Sequence, residues 1–286
     1  MQQDVMPQAW RDWIKENLQR GCDAQGMAML MVRDGGFAAN VARSAIARIA
    51  AELGQHTNET TAETGGNTLV TRPEIDTSGN LLEIDGRQVR VLMSMEQPRV
   101  VLIGNLLSHE ECDALVAYCA ERMAPSPVVD MVAGSNALHE HRTSRGAMLQ
   151  RGESELVARI EQRLASLVNW PVENGEGMQI LRYEVGHEYR AHFDWFDPEQ
   201  SGPRKHLQHG GQRYATIVMY LSDVEKGGGT SFPAIGLQTP PAKGSAVFFC
   251  NVDAFGVPDK LTLHAGMPVM GGTKLIATKW LRERQY

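Results

Sequence analysis

The chain has 286 residues, of which 42% are hydrophobic and 22% are charged, and its formal net charge is −6. This composition is ordinary for a soluble globular protein with one large domain and a small appendage. The acidic balance argues against nucleic-acid binding through phosphate attraction. No apolar run approaches the roughly 20 residues that span a bilayer, so no membrane partner is expected.

Cellular location is predicted from the N-terminus and the cysteines. The first residues lack the basic start and apolar core of a secretion signal. The four cysteines form no CxxC pair, and we expect reduced thiols, most of them buried. Both features predict a cytoplasmic protein.

The first part of the chain, residues 1–55, is predicted to be a small helical region. Trp10, Ile14 and Leu18 recur at helical spacing, and a second apolar series runs from Phe37 to Leu53. Two or three short helices are therefore expected between residues 7 and 54. Residues 56–67 are polar and small, which is typical of a linker.

A larger domain is predicted over residues 68–286. Its first part has short apolar alternations, LVTRPEI, LLEIDG, QVRVLM and PRVVLIG, with Asp85-Gly86 as a hairpin turn. Ser108 and Glu111 form a capping box that starts a helix running to about Met123. Residues 153–168 have the spacing of an amphipathic helix.

From Met178 onward, many short strands separated by turns predict a barrel or jelly roll. The whole domain is thus expected to be α+β, with a β core and flanking helices.

Three side chains in this β region form a candidate metal site. His192 and Asp194 are two apart on a predicted strand, so both should point to one face, and His264 follows 70 positions after Asp194. Two imidazoles and one carboxylate with open positions suit Fe(II) that activates oxygen, and an open Zn(II) site uses the same ligand types. Two other histidine pairs, His139 with His141 and His206 with His209, lie in loop-like stretches and are not expected to be ligands.

Lys274 follows on the strand after His264. An iron oxygenase of this kind also needs a two-electron reductant. If that co-substrate is a dicarboxylate such as 2-oxoglutarate, a buried lysine supplies the cation for its far carboxylate. Tyr183 and Thr230 are candidates to add hydroxyl donors to the same oxygens.

Read as one string, several motifs recur in a family order. They are YxxGxxYxxHxD from Tyr183, RYATIVMYLSDVEKGGGTSFP, PAKGSAVFF, LHAGMPVMGGTK and ATKW. Together they resemble the catalytic domain of the prolyl 4-hydroxylase family of 2-oxoglutarate- and Fe(II)-dependent dioxygenases. The resemblance covers roughly residues 105–284 and leaves residues 1–67 without an assigned role.

The resemblance implies a double-stranded β-helix (jelly-roll) core. It implies that iron is held by His192, Asp194 and His264, and that 2-oxoglutarate is held by Lys274, Tyr183 and Thr230. It places Arg213 and Trp280 near a substrate groove. It also implies O2 as co-substrate and adds ascorbate to the expected cofactors. The expected activity is hydroxylation of an unactivated C–H bond, most similar to that of a prolyl 4-hydroxylase acting on a peptide or protein.

The chain departs from the family pattern at Gly272-Thr273-Lys274-Leu275, where the family often has Gly-Glu-Lys-Trp. The lysine is kept, but the glutamate and the tryptophan of the pattern are not, so the resemblance specifies the substrate less closely. A free amino acid or small metabolite therefore stays open as substrate, and so does a non-catalytic binding module on the same barrel. Residues 195–212 form a polar loop that we interpret as a lid or substrate arm. The sequence does not determine the oligomeric state.

Overall fold

The structure is a computed structural model that describes residues 6–20, 22, 24–37, 39–53, 69–125, 128–129, 136–137, 144–197 and 206–286. The chain divides into two compact units. One comprises Met1–Thr71 with Ala254–Val257, and the other comprises Arg72–Asp253 with Pro258–Tyr286. The expected linker, residues 56–67, lies outside the described residues, and the predicted domain boundaries stay a prediction.

The first unit contains three helices, α1 (Gln8–Gln19), α2 (Ala24–Gly35) and α3 (Ala39–Glu52). Their apolar side chains form a core of their own, in which Ile14, Met31 and Ile46 are almost completely buried. This arrangement agrees with the two or three short helices that the apolar spacing predicts. Within the part of the chain that is described, no helix has both the length and the apolar composition needed to cross a membrane.

The second unit contains helices α4 (His109–Cys119) and α5 (Glu155–Val168) and all of the strands in the described residues. In chain order the strands are β1 (Leu81–Ile84), β2 (Arg87–Met95), β3 (Val100–Gly104), β4 (Ala124–Pro125), β5 (Val128–Val129), β6 (Asn136–Ala137), β7 (Arg145–Leu149), β8 (Gly175–Tyr183), β9 (Tyr189–His192), β10 (Arg213–Tyr220), β11 (Lys226–Gly227), β12 (Thr230–Phe232), β13 (Leu237–Thr239), β14 (Ala246–Cys250), β15 (His264–Gly266), β16 (Val269–Gly271) and β17 (Lys274–Arg282).

The strands of the described residues form a large and a small antiparallel sheet, with two further two-stranded pairs. The large sheet has the order β1-β2-β3-β14-β10-β17-β8-β7-β4, and the small sheet has the order β13-β12-β15-β9. The Phe232 ring of the small sheet lies 5.2 Å from the Phe249 ring of the large sheet, in edge-to-face contact. The two sheets therefore enclose a core between them, which confirms the expected α+β jelly-roll architecture.

The central strands of the large sheet are buried on both faces. Along β10, Ile217 and Met219 join the core that includes α4 and α5, whereas Val218 and Tyr220 join the core between the sheets. Because successive side chains of a strand point to opposite faces, one strand serves both cores. This two-sided burial explains the nearly continuous apolar run ATIVMY.

Local signals predict several element boundaries correctly. The Asp85-Gly86 turn joins β1 to β2, and both turn residues have positive φ, as a type I′ turn requires. The capping box of α4 is confirmed, because Ser108 accepts from the Glu111 amide and the Glu111 carboxylate accepts from the Ser108 amide.

One strand prediction is wrong. The described part of LVTRPEI, residues 69–75, has no regular secondary structure. Glu74 illustrates why alternation alone misled, since its backbone N–H donates to the Val168 carbonyl oxygen at 2.9 Å. Long-range bonds of this kind satisfy an extended segment without a neighbouring strand.

A buried ion pair joins the two helices of the second unit. Arg163 of α5 donates to both carboxylate oxygens of Glu111 in α4, at 2.7 and 2.8 Å, and both residues are buried. Burial raises the pKa of Glu111, but the hydrogen bonds from Arg163 and from the Ser108 amide outweigh it and lower the pKa to about 2. The stabilisation from the Glu111 charge is therefore present above its unfolded pKa, near 4.5, and is lost as the pH falls toward 2.

Replacing Arg163 by Met should lower the free energy of unfolding by about 3 kcal/mol, because it leaves the Glu111 carboxylate buried without its main partner. Arg159 provides a matched control, since its half-exposed side chain lies 3.4 Å from the same carboxylate. Arg159→Ala should change stability by less than about 1 kcal/mol. Urea unfolding followed by circular dichroism measures both, and equal effects would contradict the assignment.

Candidate metal centre

Strands β9 and β15 bring two distant histidines together. They pair antiparallel in the small sheet, and the register places His264 opposite His192. Opposed residues of neighbouring strands lie on the same face of a sheet, so the two imidazole rings meet with centroids 4.3 Å apart. The pairing therefore brings together two side chains that are far apart in the sequence.

Asp194 completes the cluster from a position just beyond the end of β9. Its Oδ1 lies 3.5 Å from His192 Nε2, and its Oδ2 lies 3.6 Å from His264 Nε2. One potential ligand atom from each of the three residues lies within 4.8 Å of the other two. The sequence argument placed Asp194 on the strand itself; in the structure the strand stops at His192, yet the carboxylate still turns toward both rings.

Backbone carbonyls determine which imidazole nitrogens face the cluster. His192 Nδ1 lies 2.8 Å from the Arg190 carbonyl oxygen, and His264 Nδ1 lies 3.0 Å from that of Thr262. A carbonyl only accepts, so we assign the proton of each neutral ring to Nδ1. Both Nε2 lone pairs then point toward the Asp194 carboxylate with no proton between them, which is the donor set that a divalent cation requires.

The electrostatic environment keeps these groups in their ligating forms. Burial and the neighbouring His192 ring lower the pKa of His264 to about 4, so its imidazole is neutral at pH 7. Burial raises the pKa of Asp194, but His264, His192 and Arg213 more than compensate and hold this pKa well below its usual range. An ionised carboxylate and the neutral His264 ring therefore coexist in the cluster, and two nitrogens with one oxygen fit Fe(II) with open positions.

Lys274 lies in the same cavity as the three candidate ligands. It is 2% exposed, and its Nζ makes no ion pair with any residue of the described ranges. Burial lowers its pKa to about 8, so most molecules carry the charge at pH 7. A buried cation without a counterion is unfavourable, and an anionic ligand in the cavity would compensate it.

Tyr183 and Thr230 line this cavity with Lys274. Tyr183 is opposite Lys274 in the pairing of β8 with β17, and its ring centre is 5.3 Å from Lys274 Nζ. The Thr230 hydroxyl accepts a 2.7 Å hydrogen bond from Tyr220, so its own hydrogen is available to a ligand.

Arg213 and Trp280 occupy a second wall. Trp280 lines the cavity, and the Arg213 guanidinium stacks on its ring at 4.1 Å. Arg213 also binds Glu176 through two hydrogen bonds, at 2.6 and 2.9 Å. Sequence reasoning did not identify Glu176, because no motif links it to Arg213 and only the strand packing brings the two together.

The other histidines named from the sequence do not join this cluster in the described structure. The His206 ring stacks on Phe196 at 5.1 Å, and His209 packs against Tyr286 at 4.6 Å. His139 and His141 lie outside the described residues, as do positions 198–205 of the polar loop.

The chain is similar to proteins of known family. A model of the 2OG-Fe(II) oxygenase superfamily matches residues 178–282. Prolyl 4-hydroxylase 5 of Arabidopsis thaliana is 36% identical over 248 residues, which cover 80% of this chain and 83% of that protein. Probable prolyl 4-hydroxylase 3 of the same plant is 37% identical over 220 residues, covering 70% and 75%.

A solved structure is also similar. The viral collagen prolyl hydroxylase of Paramecium Bursaria Chlorella virus-1, in a 2OG complex, has 30% identity and a TM-score of 0.52 to this chain. The match covers 64% of this chain and 95% of the viral one.

Removing one ligand should weaken divalent-metal binding. Asp194→Ala and His264→Ala are each expected to raise the Mn(II) dissociation constant by more than about 100-fold, since changes around ligands alone cost about 10- to 100-fold. Isothermal titration of the purified protein measures this constant. His109→Ala is the control, because that side chain is exposed and outside the cluster. Retention of wild-type affinity by either ligand variant would relocate the site.

Proposed function

Because the chain belongs to the prolyl 4-hydroxylase family of 2-oxoglutarate- and Fe(II)-dependent oxygenases, we propose that it hydroxylates a prolyl residue of a peptide or protein. As a member of this family it is a 2-oxoglutarate-dependent dioxygenase that uses Fe(II), 2-oxoglutarate and O2. The substrate assignment rests on its relatives, which are prolyl 4-hydroxylases by name.

One observation carries the proposal. Three convergent metal-binding side chains and one buried, uncompensated lysine share a single cavity. The first group suits a ferrous ion, and the second suits the remote carboxylate of a dicarboxylic acid. A binding module without catalysis would have no need for both features.

We assign metal binding to His192, Asp194 and His264. Fe(II) held there would let O2 oxidise 2-oxoglutarate to succinate and carbon dioxide, with one oxygen atom entering succinate and the other a C–H bond of the substrate. The chain itself holds the His264 imidazole neutral and the Asp194 carboxylate ionised, and it excludes water by burying both side chains.

We assign 2-oxoglutarate binding to Lys274, Tyr183 and Thr230. Lys274 would contribute the charge for the far carboxylate, and the hydroxyls of Tyr183 and Thr230, which line the same cavity, would donate to its oxygens. Since β17 is a central strand buried on both faces, Lys274 is held on a rigid element.

We assign Arg213 and Trp280 to the substrate groove with different tasks. The Trp280 ring lines the cavity and would offer an apolar surface against which a pyrrolidine ring packs. Arg213 already donates to Glu176 and stacks on the Trp280 ring, so we assign it the role of positioning Trp280.

Several sequence-based expectations stay predictions. They are the dependence on ascorbate, the cytoplasmic location, the absence of nucleic-acid and membrane partners, and the role of residues 195–212 as a lid or substrate arm.

Lys274→Met should raise the concentration of 2-oxoglutarate needed for half-maximal succinate production by about 10- to 100-fold, because a charge-assisted bond is worth about 1.5–3 kcal/mol. Lys226→Met, which changes an exposed lysine of β11, is the control. In the wild type, the affinity for 2-oxoglutarate should fall as the pH rises through about 8, because free Lys274 then loses its charge. An unchanged half-maximal 2-oxoglutarate concentration in Lys274→Met would show that Lys274 does not bind the co-substrate.

The substrate class is tested by mass spectrometry. A pool of proline-containing peptides, incubated with the enzyme, Fe(II), 2-oxoglutarate and O2, should gain one oxygen atom on proline. A matched pool with alanine in place of proline should remain unmodified. Succinate formation with oxygen added only to free amino acids or to other residues would overturn the prolyl assignment while leaving the dioxygenase assignment intact.

A further inference from the structure

Two buried polar residues of the large sheet reach the candidate metal ligand Asp194. The Thr216 hydroxyl donates to Asp194 Oδ2 at 2.8 Å, and the Asn251 amide Nδ2 donates to Thr216 Oγ1 at 2.9 Å. Thr216 lies on β10, Asn251 follows directly after β14, and both are 0% exposed. The two hydrogen bonds form a chain that ends on the carboxylate.

The atoms in contact determine the direction of this chain. Asn251 Nδ2 only donates, so Thr216 Oγ1 accepts from it. The single hydroxyl hydrogen of Thr216 is then left for Asp194 Oδ2.

The backbone holds Asn251 in place for this contact. Its amide N–H donates to the Tyr214 carbonyl at 2.8 Å, and its carbonyl accepts from the Asp259 amide at 2.9 Å. The side-chain Oδ1, by contrast, is buried and has no hydrogen-bond partner in the structure. A buried acceptor without a donor reduces stability. The asparagine is thus poorly suited to packing alone, whereas its donor group is fully used.

Thr216 also distinguishes the two oxygens of Asp194. Oδ2 carries the hydrogen bond from Thr216, while Oδ1 lies on the side of His192. The Thr216 hydrogen bond would use one lone pair of Oδ2, whereas Oδ1 would keep both of its lone pairs for a bound cation.

We propose that Asn251 and Thr216 are positioning residues that orient the Asp194 carboxylate and thereby set the affinity of the metal site. This inference rests on the proposed function, since it presupposes that Asp194 is a ligand. Asn251 acts only through Thr216, so the two residues form one relay.

The test measures Mn(II) binding to the full chain by isothermal titration, without co-substrate. Thr216→Val replaces the hydroxyl by a methyl group and should raise the dissociation constant by about 10- to 100-fold. Thr216→Ser keeps the hydroxyl and should stay within about threefold of the wild type, well below that range. This rescue separates the hydrogen bond from side-chain packing.

Asn251→Leu should raise the dissociation constant less than Thr216→Val, because Thr216 still reaches Asp194. The double variant should bind Mn(II) no more weakly than Thr216→Val alone, since the asparagine has no independent route to the metal. Wild-type affinity in Thr216→Val, or effects that multiply in the double variant, would overturn the relay. If Thr216→Val does not fold, as judged by circular dichroism, an unchanged affinity in Asn251→Leu is by itself contrary to the proposal.

The outcome is distinguishable from failure of the proposed function. If the wild-type protein binds no Mn(II), the proposed metal site itself is wrong. If the wild type binds Mn(II) and the Thr216 and Asn251 variants bind it with the same affinity, only the relay is wrong.

Discussion

The antiparallel pairing of β9 with β15 is the contact on which the candidate site depends. It sets His264 opposite His192, and Asp194 then needs only the turn after β9 to face both rings. Because side chains alternate along a strand, a register shift of one residue would direct one imidazole away from the other. The precision of the site is therefore a property of sheet register, which rigid backbone hydrogen bonds maintain.

Two-sided burial of the large sheet explains where the polar groups lie. Along β17, the alternate residues Lys274, Ile276, Thr278 and Trp280 line the cavity, whereas Ala277 and Leu281 belong to the core that includes the helices. A single strand therefore contributes a cation and an aromatic wall to the site while it supports the packing of α4 and α5. Movement of β17 would disturb both the cavity wall and the helix packing. The close packing of the core therefore also keeps the cavity wall rigid.

The buried charges of the second unit are of two kinds. Glu176 is compensated by Arg213 and Arg282, and Glu111 by Arg163, with hydrogen bonds that satisfy the carboxylate oxygens. Lys274 has no such partner in the described ranges, and Asp194 accepts a hydrogen bond from Thr216 and lies in the field of the more distant Arg213. Compensated pairs hold helices and strands together, whereas Lys274 and Asp194 line the cavity that we propose as the ligand site.

The sequence by itself determined the class of fold, the capped helix at Ser108, the hairpin at Asp85-Gly86 and the ligand types of the site. These follow from local periodicity, capping and residue chemistry, together with motif order. Only the tertiary structure decided that His264 opposes His192, that Asp194 lies beyond the strand and that Glu176, Thr216 and Asn251 support the site. Such contacts join residues far apart in the chain, and they depend on strand order and register, which no local pattern encodes.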